Sequence, residues 1–384
     1  MRPAIHNAAM AALLVAAMLA TGCARAESPA ATAVPGTRSA PRLGIVFDTG
    51  GRHDMSFNQS AYDGARLLAQ DVGGTILDEP GADYGEALEI RLLESVHQGE
   101  DREQLLRSLA EDGRTLVFAV GFLFAESMAK VARDYPACHF VLIDGTVPDL
   151  GPDSNLTCVS FAEHEGSFLV GACAGLVAAA AGEDARAGFV GGMDMPLIRR
   201  FLAGYEAGVA WTAPALRGDV PAAFVGKDSS AFNDPAKAAA LATAMYGTGT
   251  VIVFQAAGGS GRGVFEAAAR AGKLAIGVDS DQAAAFRASE DPAQAALAVC
   301  IVTSMLKRVD RVVYAFGREA LSGAPIKGGY RTFGLAEGGI GYAAGGMPPD
   351  AVALLDELSR RIVSGDIVVP DDEAEARAFI EALP

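Results

Sequence analysis

The chain has 384 residues, with 47 acidic against 31 basic side chains and a formal net charge of −16. A body this acidic repels phosphate backbones and shows no basic stripe to offset that, which excludes a nucleic-acid partner. Its length exceeds one comfortable core and points to two domains behind a leader.

The leader comes first. Residues 1–20 carry one basic side chain, Arg2, ahead of an apolar stretch over 8–20, and lead into Leu19-Ala20-Thr21-Gly22-Cys23. A basic start, a short apolar core and small residues describe an export signal, not a spanning helix. The cysteine after Gly22 looks like that of a bacterial lipobox, with 1–22 as signal peptide and Cys23 as the lipidated new N-terminus. Ala20 stands where Leu is usual, and ordinary cleavage beside an incidental cysteine is the alternative. Residues 23–41 then read as a flexible tether spanning roughly 25 Å. A lipidated residue with several acyl chains anchors where one chain is marginal. The expected place is therefore the periplasmic face of the envelope, on a membrane anchor.

Short apolar runs follow at 43–47, 75–77, 116–120, 140–143 and 156–161, then at 187–190, 222–225, 251–254 and 274–278. Between them lie helical patterns such as "FNQSAYDGARLLAQ", "AESMAKVARDYP", "PLIRRFLAGYEAGVA" and "RGVFEAAARAG". Alternating signals argue for parallel sheets covered by helices, and continuous apolar strands for sheets buried on both faces. The pattern occurs twice, so the fold class is α/β with two doubly wound parallel-sheet lobes. The small, apolar stretch 168–181 is too short to span a bilayer and reads as a buried helix in close contact with another. The stretch 84–99 has no clear period and is compatible with an extra surface helix. Cys138 and Cys158 lie in successive runs, where a bridge is allowed in an oxidising compartment, and free thiols at Cys138, Cys158, Cys173 and Cys300 fit equally.

Ligands of open α/β sheets sit beyond the carboxyl ends of the strands. Those ends are polar in both halves: Asp48, Gly121-Phe122 and Asp144, then Asp194, residues 228–234, 258–263 and 279–282. That arrangement describes a cleft between two lobes. Aspartates at such positions are either ligand contacts or helix N-caps, and Phe57 and Phe232 either staple their own helices or face a ligand. "GGSGRG" (258–263) lacks a P-loop's Gly-Lys-Ser/Thr and suits close backbone approach better than phosphate. "DSDQAAAFRASE" (279–290) fails as a calcium loop at Ala283 and Ala284. No metal, cofactor or nucleophile–base pair is expected, so the chain reads as no enzyme. Glu163-His164-Glu165 reads as a hinge or a solvated helix start.

Eight segments in order resemble one family: "DTGGRHDMSFNQSAYDG", "FVLIDG", "EHEGSFLVGACAG", "GFVGGMDMPLIRRFLAGYEAG", "AFNDPAKA", "AAGGSGRGVFEAA", "GVDSDQ" and "TSMLKRVD". They are similar to the basic membrane protein family of bacterial substrate-binding lipoproteins, which includes purine nucleoside receptors. The resemblance implies a type I periplasmic-binding fold with a three-crossover hinge, in which 42–161 with 283–322 form the first lobe and 162–282 with 323–384 the second. It implies capture of a nucleoside, purine first, and delivery by a monomer to the permease and ATPase subunits of an ABC importer. Phe57 and Phe232 look like the pair that sandwiches the base, with Asp48, Asn58 and Asp144 as first-lobe polar contacts. Asp279 looks like the acceptor of ribose hydroxyls and Lys307 like a cation reaching the sugar. Gly258 and Gly259 would admit backbone amides, and Phe122 would wall the pocket. Phosphate would meet acids, so nucleosides are expected over nucleotides. His53 stands where relatives commonly carry Asn, either altering base selectivity or adding a titratable rim residue. A same-fold receptor for another small molecule, a sensor subunit without an importer, and a nucleoside-cleaving enzyme are the competing readings.

Overall fold

The structure, a computed structural model, describes residues 41–96 and 99–384; the leader, Cys23 and the tether up to residue 40 lie outside them. The apolar run after Pro41 forms β1 (Arg42–Phe47), followed by α1 (Phe57–Val72), β2 (Thr75–Ile76), β3 (Glu89–Glu94) and α2 (Arg102–Glu111). Then come β4 (Leu116–Val120), α3 (Ala125–Asp134), β5 (His139–Ile143) and β6 (Leu156–Phe161). The second half runs α4 (Glu163–Ala181), β7 (Arg186–Met193), α5 (Pro196–Thr212), β8 (Ala222–Gly226), α6 (Pro235–Gly247) and β9 (Thr250–Ala256). It continues with α7 (Gly261–Ala271), β10 (Leu274–Asp279), α8 (Gln282–Arg287), α9 (Pro292–Leu297) and β11 (Ile301–Lys307). Last are α10 (Val309–Ser322), β12 (Gly329–Phe333), β13 (Ile340–Tyr342), α11 (Pro349–Val363) and α12 (Glu373–Ala382).

These strands make two sheets, ordered β12-β6-β5-β4-β1-β3-β2 and β13-β11-β10-β9-β7-β8. All named pairings are parallel except β11 with β13. Helices cover both faces, which is why strands such as β4 are buried along their whole length. In the first lobe Ile45, Phe118 and Ile143 face Leu68 and Phe316 of α1 and α10. Val46, Val117 and Leu142 face Leu109 and Met128 of α2 and α3. In each sheet the first strand sits between neighbours reached in opposite directions, so the switch points lie at β1/β4 and β7/β9.

The chain crosses between lobes three times: at Ala162, at Arg308 and between β12 and β13. The crossing segments bond side by side, Ala162 N donating to Phe333 O at 3.1 Å and Arg308 N to Gly339 O at 2.8 Å. This moves the expected boundaries. Residues 283–307 stay in the second lobe because β11 pairs with β10, Ala275 opposite Ile301. Conversely, β12 belongs to the first lobe, pairing Gly329 with Thr157 of β6. The stretch expected as a surface helix instead holds β3, whose Ile90 and Leu92 point into the core between half-buried neighbours. Cys138 and Cys158 are both free and buried.

Among the described residues only α4 is long and apolar enough to cross a membrane. Most of it is buried against α5, where glycines bring the backbones together. A Cβ on Gly171 would lie 2.3 Å from Tyr205 O, and one on Gly208 2.1 Å from Phe168 O. No larger residue fits that contact without moving a helix.

Candidate functional site

Both switch points open into one void of about 850 Å³, mouth included, between the lobes. The first lobe contributes Asp48, Asp54, Phe57, Asn58, Phe122 and Asp144; the second contributes Ile198, Phe201, Phe232, Gly258, Gly259, Asp279 and Lys307. Small-molecule sites are concave and mostly apolar with a few placed polar groups, and this void has that character.

At the end of β1, Asp48 is 9 % exposed and held by Arg102, whose Nε and Nη2 reach Oδ1 at 3.1 and 2.6 Å. Thr49 N donates to the same oxygen, which leaves Oδ2 beside Gly121. Asp54 caps α1: its carboxylate accepts from the backbone N–H groups of Ser56, Asn58 and Gln59 at 2.8–3.0 Å. Those bonds partly offset the burial that raises its pKa. The cap presents Phe57 and Asn58 to the void, and Asn58 Oδ1 is buried with no protein partner. Phe122 follows β4 and meets Phe232 edge-to-face across the cleft, ring centroids 6.3 Å apart. Gly258 adopts φ +55°, a conformation glycine tolerates, directly beneath the turn that carries Phe232.

Lys307, at the end of β11, is 1 % exposed. Its ammonium bonds Asp144 Oδ2 of the first lobe and lies 3.1 Å from Glu163 Oε1 at the start of α4. It also sits 5.1–5.3 Å from the ring centres of Phe57, Phe161 and Phe201. Burial alone would lower its pKa, but Asp144, Glu163 and Asp279 reverse that and hold it charged above its usual range. Burial pushes Asp144 up to about 6, against the pull of Lys307. It pushes Asp279 up to about 7, against Lys307 and a hydrogen bond from Ser56 Oγ at 2.5 Å. Asp144 Oδ1, like Asn58 Oδ1, has no protein partner. The polar wall is therefore rich in acceptors, and its one ammonium is already engaged.

The family model Bmp, of PnrA-like ABC transporter substrate-binding proteins, matches residues 42–373. The chain belongs to this family. It is a solute-binding protein, not an enzyme. It is 31 % identical over 343 residues to the CD4+ T-cell-stimulating antigen of Listeria monocytogenes, covering 86 % of this chain and 88 % of that protein. It is 29 % identical to the ABC transporter nucleoside-binding protein BmpA of Lactococcus lactis, covering 86 % and 89 %. Among solved structures, an ABC transporter solute-binding protein of Aeropyrum pernix superposes with TM-score 0.69 at 28 % identity, over 89 % of this chain and 96 % of that one.

Within this Bmp-family cleft, every residue expected at the site lines the void. The aspartates divide as the two readings allowed: Asp228, Asp234 and Asp281 cap helices, while Asp48, Asp144 and Asp279 face the cavity. His53 is exposed, packs edge-on against Tyr62 at 5.4 Å, and does not line the void. Glu163 and Glu165 are hinge residues, the second accepting from Leu335 N at 2.7 Å. Sequence reasoning missed Arg102, Ser56, Phe201 and the buried Gln255–Gln282 pair. Ser56, Phe201 and Gln282 lay inside motifs already singled out; Arg102 and Gln255 meet their partners only through the tertiary fold.

Proposed function

We propose that this Bmp-family protein captures nucleosides, purines first, and delivers them as a monomer to the permease and ATPase subunits of an ABC importer. Its place is the periplasmic face of the envelope, on the Cys23 lipid anchor. One observation carries the ligand class: Phe57 and Phe232, one from each lobe, line the same void as a set of acceptors that lack partners. Two rings suit the two faces of a base, each stack contributing about 1–3 kcal/mol by analogy with base stacking in nucleic-acid sites. Asp279 and Asp144 suit ribose hydroxyls and base N–H donors as charge-assisted acceptors. A phosphate would meet these carboxylates with no free cation, since Lys307 is bound by Asp144 and Glu163. The similarity to the nucleoside-binding protein BmpA of Lactococcus lactis supports the same class.

The test is calorimetric titration with adenosine, guanosine, inosine, cytidine and ribose, after unfolding and refolding to strip carried-over ligand. Purine nucleoside binding that collapses in Phe57→Ala and Asp279→Ala is expected. Folded protein that gives no heat with any nucleoside overturns the reading.

A further inference from the structure

The loop between β1 and α1 does more than border the cavity. Met55 has φ +56°, a left-handed conformation that is unfavourable for a residue with a side chain. Its side chain leaves its own lobe and packs against the apolar cluster of the second lobe that contains Phe265, Ala283 and Phe286. Its carbonyl accepts two hydrogen bonds from that lobe, from Gln282 Nε2 at 2.9 Å and Ser280 Oγ at 3.1 Å. The next residue, Ser56, donates across the same seam to Asp279.

The second lobe is built to offer that donor. Gln282 is 2 % exposed and Gln255 fully buried. Gln282 Oε1 accepts from Gln255 Nε2 at 2.8 Å and from Val278 N at 2.9 Å. Gln255 Oε1 in turn accepts from Ala257 N at 3.1 Å. These bonds fix the amide's orientation and leave Nε2 as the group turned toward the first lobe. Two glycines make the room: a Cβ on Gly261 would lie 2.2 Å from the Gln255 side chain, and one on Gly277 2.7 Å from Gln282 Oε1. Part of "GGSGRG" thus serves this pair, not an anion.

We propose that Met55 and Gln282 are positioning residues that latch the two lobes together over the bound ligand, so that their contact sets how slowly the ligand leaves. The inference rests on the nucleoside reading for its ligand and on the observed seam for its mechanism. Contacts made only in the closed form shift the opening equilibrium toward it, and a ligand enclosed by both lobes leaves only from the open form. The uncharged amide–carbonyl bond carries no ion-desolvation penalty and breaks and reforms readily on opening.

Two variants test it. Gln282→Glu keeps the acceptor oxygen for Gln255 and Val278 but removes the donor that crosses the seam. Met55→Gly keeps the carbonyl and relaxes φ but removes the inserted side chain, leaving the second lobe untouched if the first variant folds poorly. Stopped-flow release of guanosine, and interlobe distances by pulsed electron resonance between spin labels at Leu67 and Val299, are the readouts. Gln282→Glu is expected to release guanosine about tenfold faster, the scale of one net hydrogen bond with added repulsion, while association changes less than twofold. Met55→Gly is expected to speed release in the same direction. Both should broaden the distance distribution without ligand. Unchanged release and unchanged distances in both variants overturn the latch. If the wild type takes up no nucleoside, the nucleoside reading fails alone, and the unliganded distance distributions decide the latch by the same criterion.

Discussion

Replacing Lys307 with Met tests the centre of the site. Met fills nearly the same volume among Phe57, Phe161 and Phe201 but leaves the buried Asp144 carboxylate without its cation and Glu163 with Arg200 alone, at 3.4 Å. Removing one partner of a buried ion pair costs about 3–5 kcal/mol. The protein can escape by protonating a stranded carboxyl, at about 1.4 kcal/mol for each pH unit above an ordinary carboxyl pKa near 4. At pH 7 that escape costs about 4 kcal/mol, no cheaper than the stranded charge; at pH 5 it costs about 1.5 kcal/mol. The sign follows from linkage: a carboxyl whose folded pKa is raised contributes stability at low pH and loses it as pH rises through that value. Lys307→Met should therefore destabilise by about 3–5 kcal/mol at pH 7 and by about 1–2 kcal/mol at pH 5. Urea unfolding at both pH values, followed by tryptophan fluorescence and by circular dichroism to check that the transitions coincide, gives the numbers. Adding Asp144→Asn should restore part of the loss at pH 7. A single-variant cost below 1 kcal/mol at pH 7, or one independent of pH, refutes the reasoning.

Three further outcomes are expected. Phe57→Ala and Phe232→Ala should each weaken purine nucleoside binding by about 1–3 kcal/mol in calorimetry while ribose affinity stays level; equal loss for ribose would argue against stacking. Because burial raises Asp279 to about 7 and Asp144 to about 6, both hold protons below those values. A ligand that donates to their ionised forms must expel them, so affinity should rise with pH from 5 to about 7 and level off above that. Proton release, read from calorimetry in buffers of different ionisation heat, checks this, and pH-independent affinity refutes it. Gly208→Ala puts a methyl 2.1 Å from Phe168 O in the α4–α5 contact, which should cost about 1–3 kcal/mol as a lower melting temperature with the ligand site intact.

What was legible in the sequence was what local pattern encodes. The runs at β1, β4, β9 and β10 are apolar along their length because both faces are covered, and they stand out without alignment. β3 does not: Glu89–Glu94 buries only Ile90 and Leu92, and so short and charged a segment fits a helix as well. The second and third crossovers were also misplaced, since which sheet β11 and β12 join depends on pairing with strands far away in sequence. Arg102 shows the same limit at the site. It lies 54 residues from Asp48, at the start of an ordinary amphipathic helix, and nothing near it announces a partner. Asp54 did carry a signal, an acid just ahead of a helix start, and its capping role could have been read.

The two lobes reach the centre of the cleft by the same backbone device. Asp144 ends β5 and Asp279 ends β10, corresponding strands of the two sheets, each third from the edge formed by β12 or β13. Both adopt left-handed φ, +65° and +66°, and at Asp279 a tight turn closes around the residue, Ser280 N donating to Val278 O at 2.8 Å. Such a conformation costs on the order of 1 kcal/mol for each residue and persists only where the surroundings over-determine it. The Lys307 ammonium bonds Asp144 and acts through space on Asp279, which also accepts from Ser56 Oγ. Left-handed backbone aims each carboxylate inward, past the end of its strand, where an extended residue would continue along the sheet. One lysine thereby lies beside an acceptor from each lobe, and Ser56 joins the second of them to the opposite lobe. Both carboxylates are thus tied to the closed arrangement, since separating the lobes breaks the Lys307–Asp144 and Ser56–Asp279 bonds. A ligand that accepts none of this geometry gives no reason for the lobes to hold it, which makes closure itself part of selectivity.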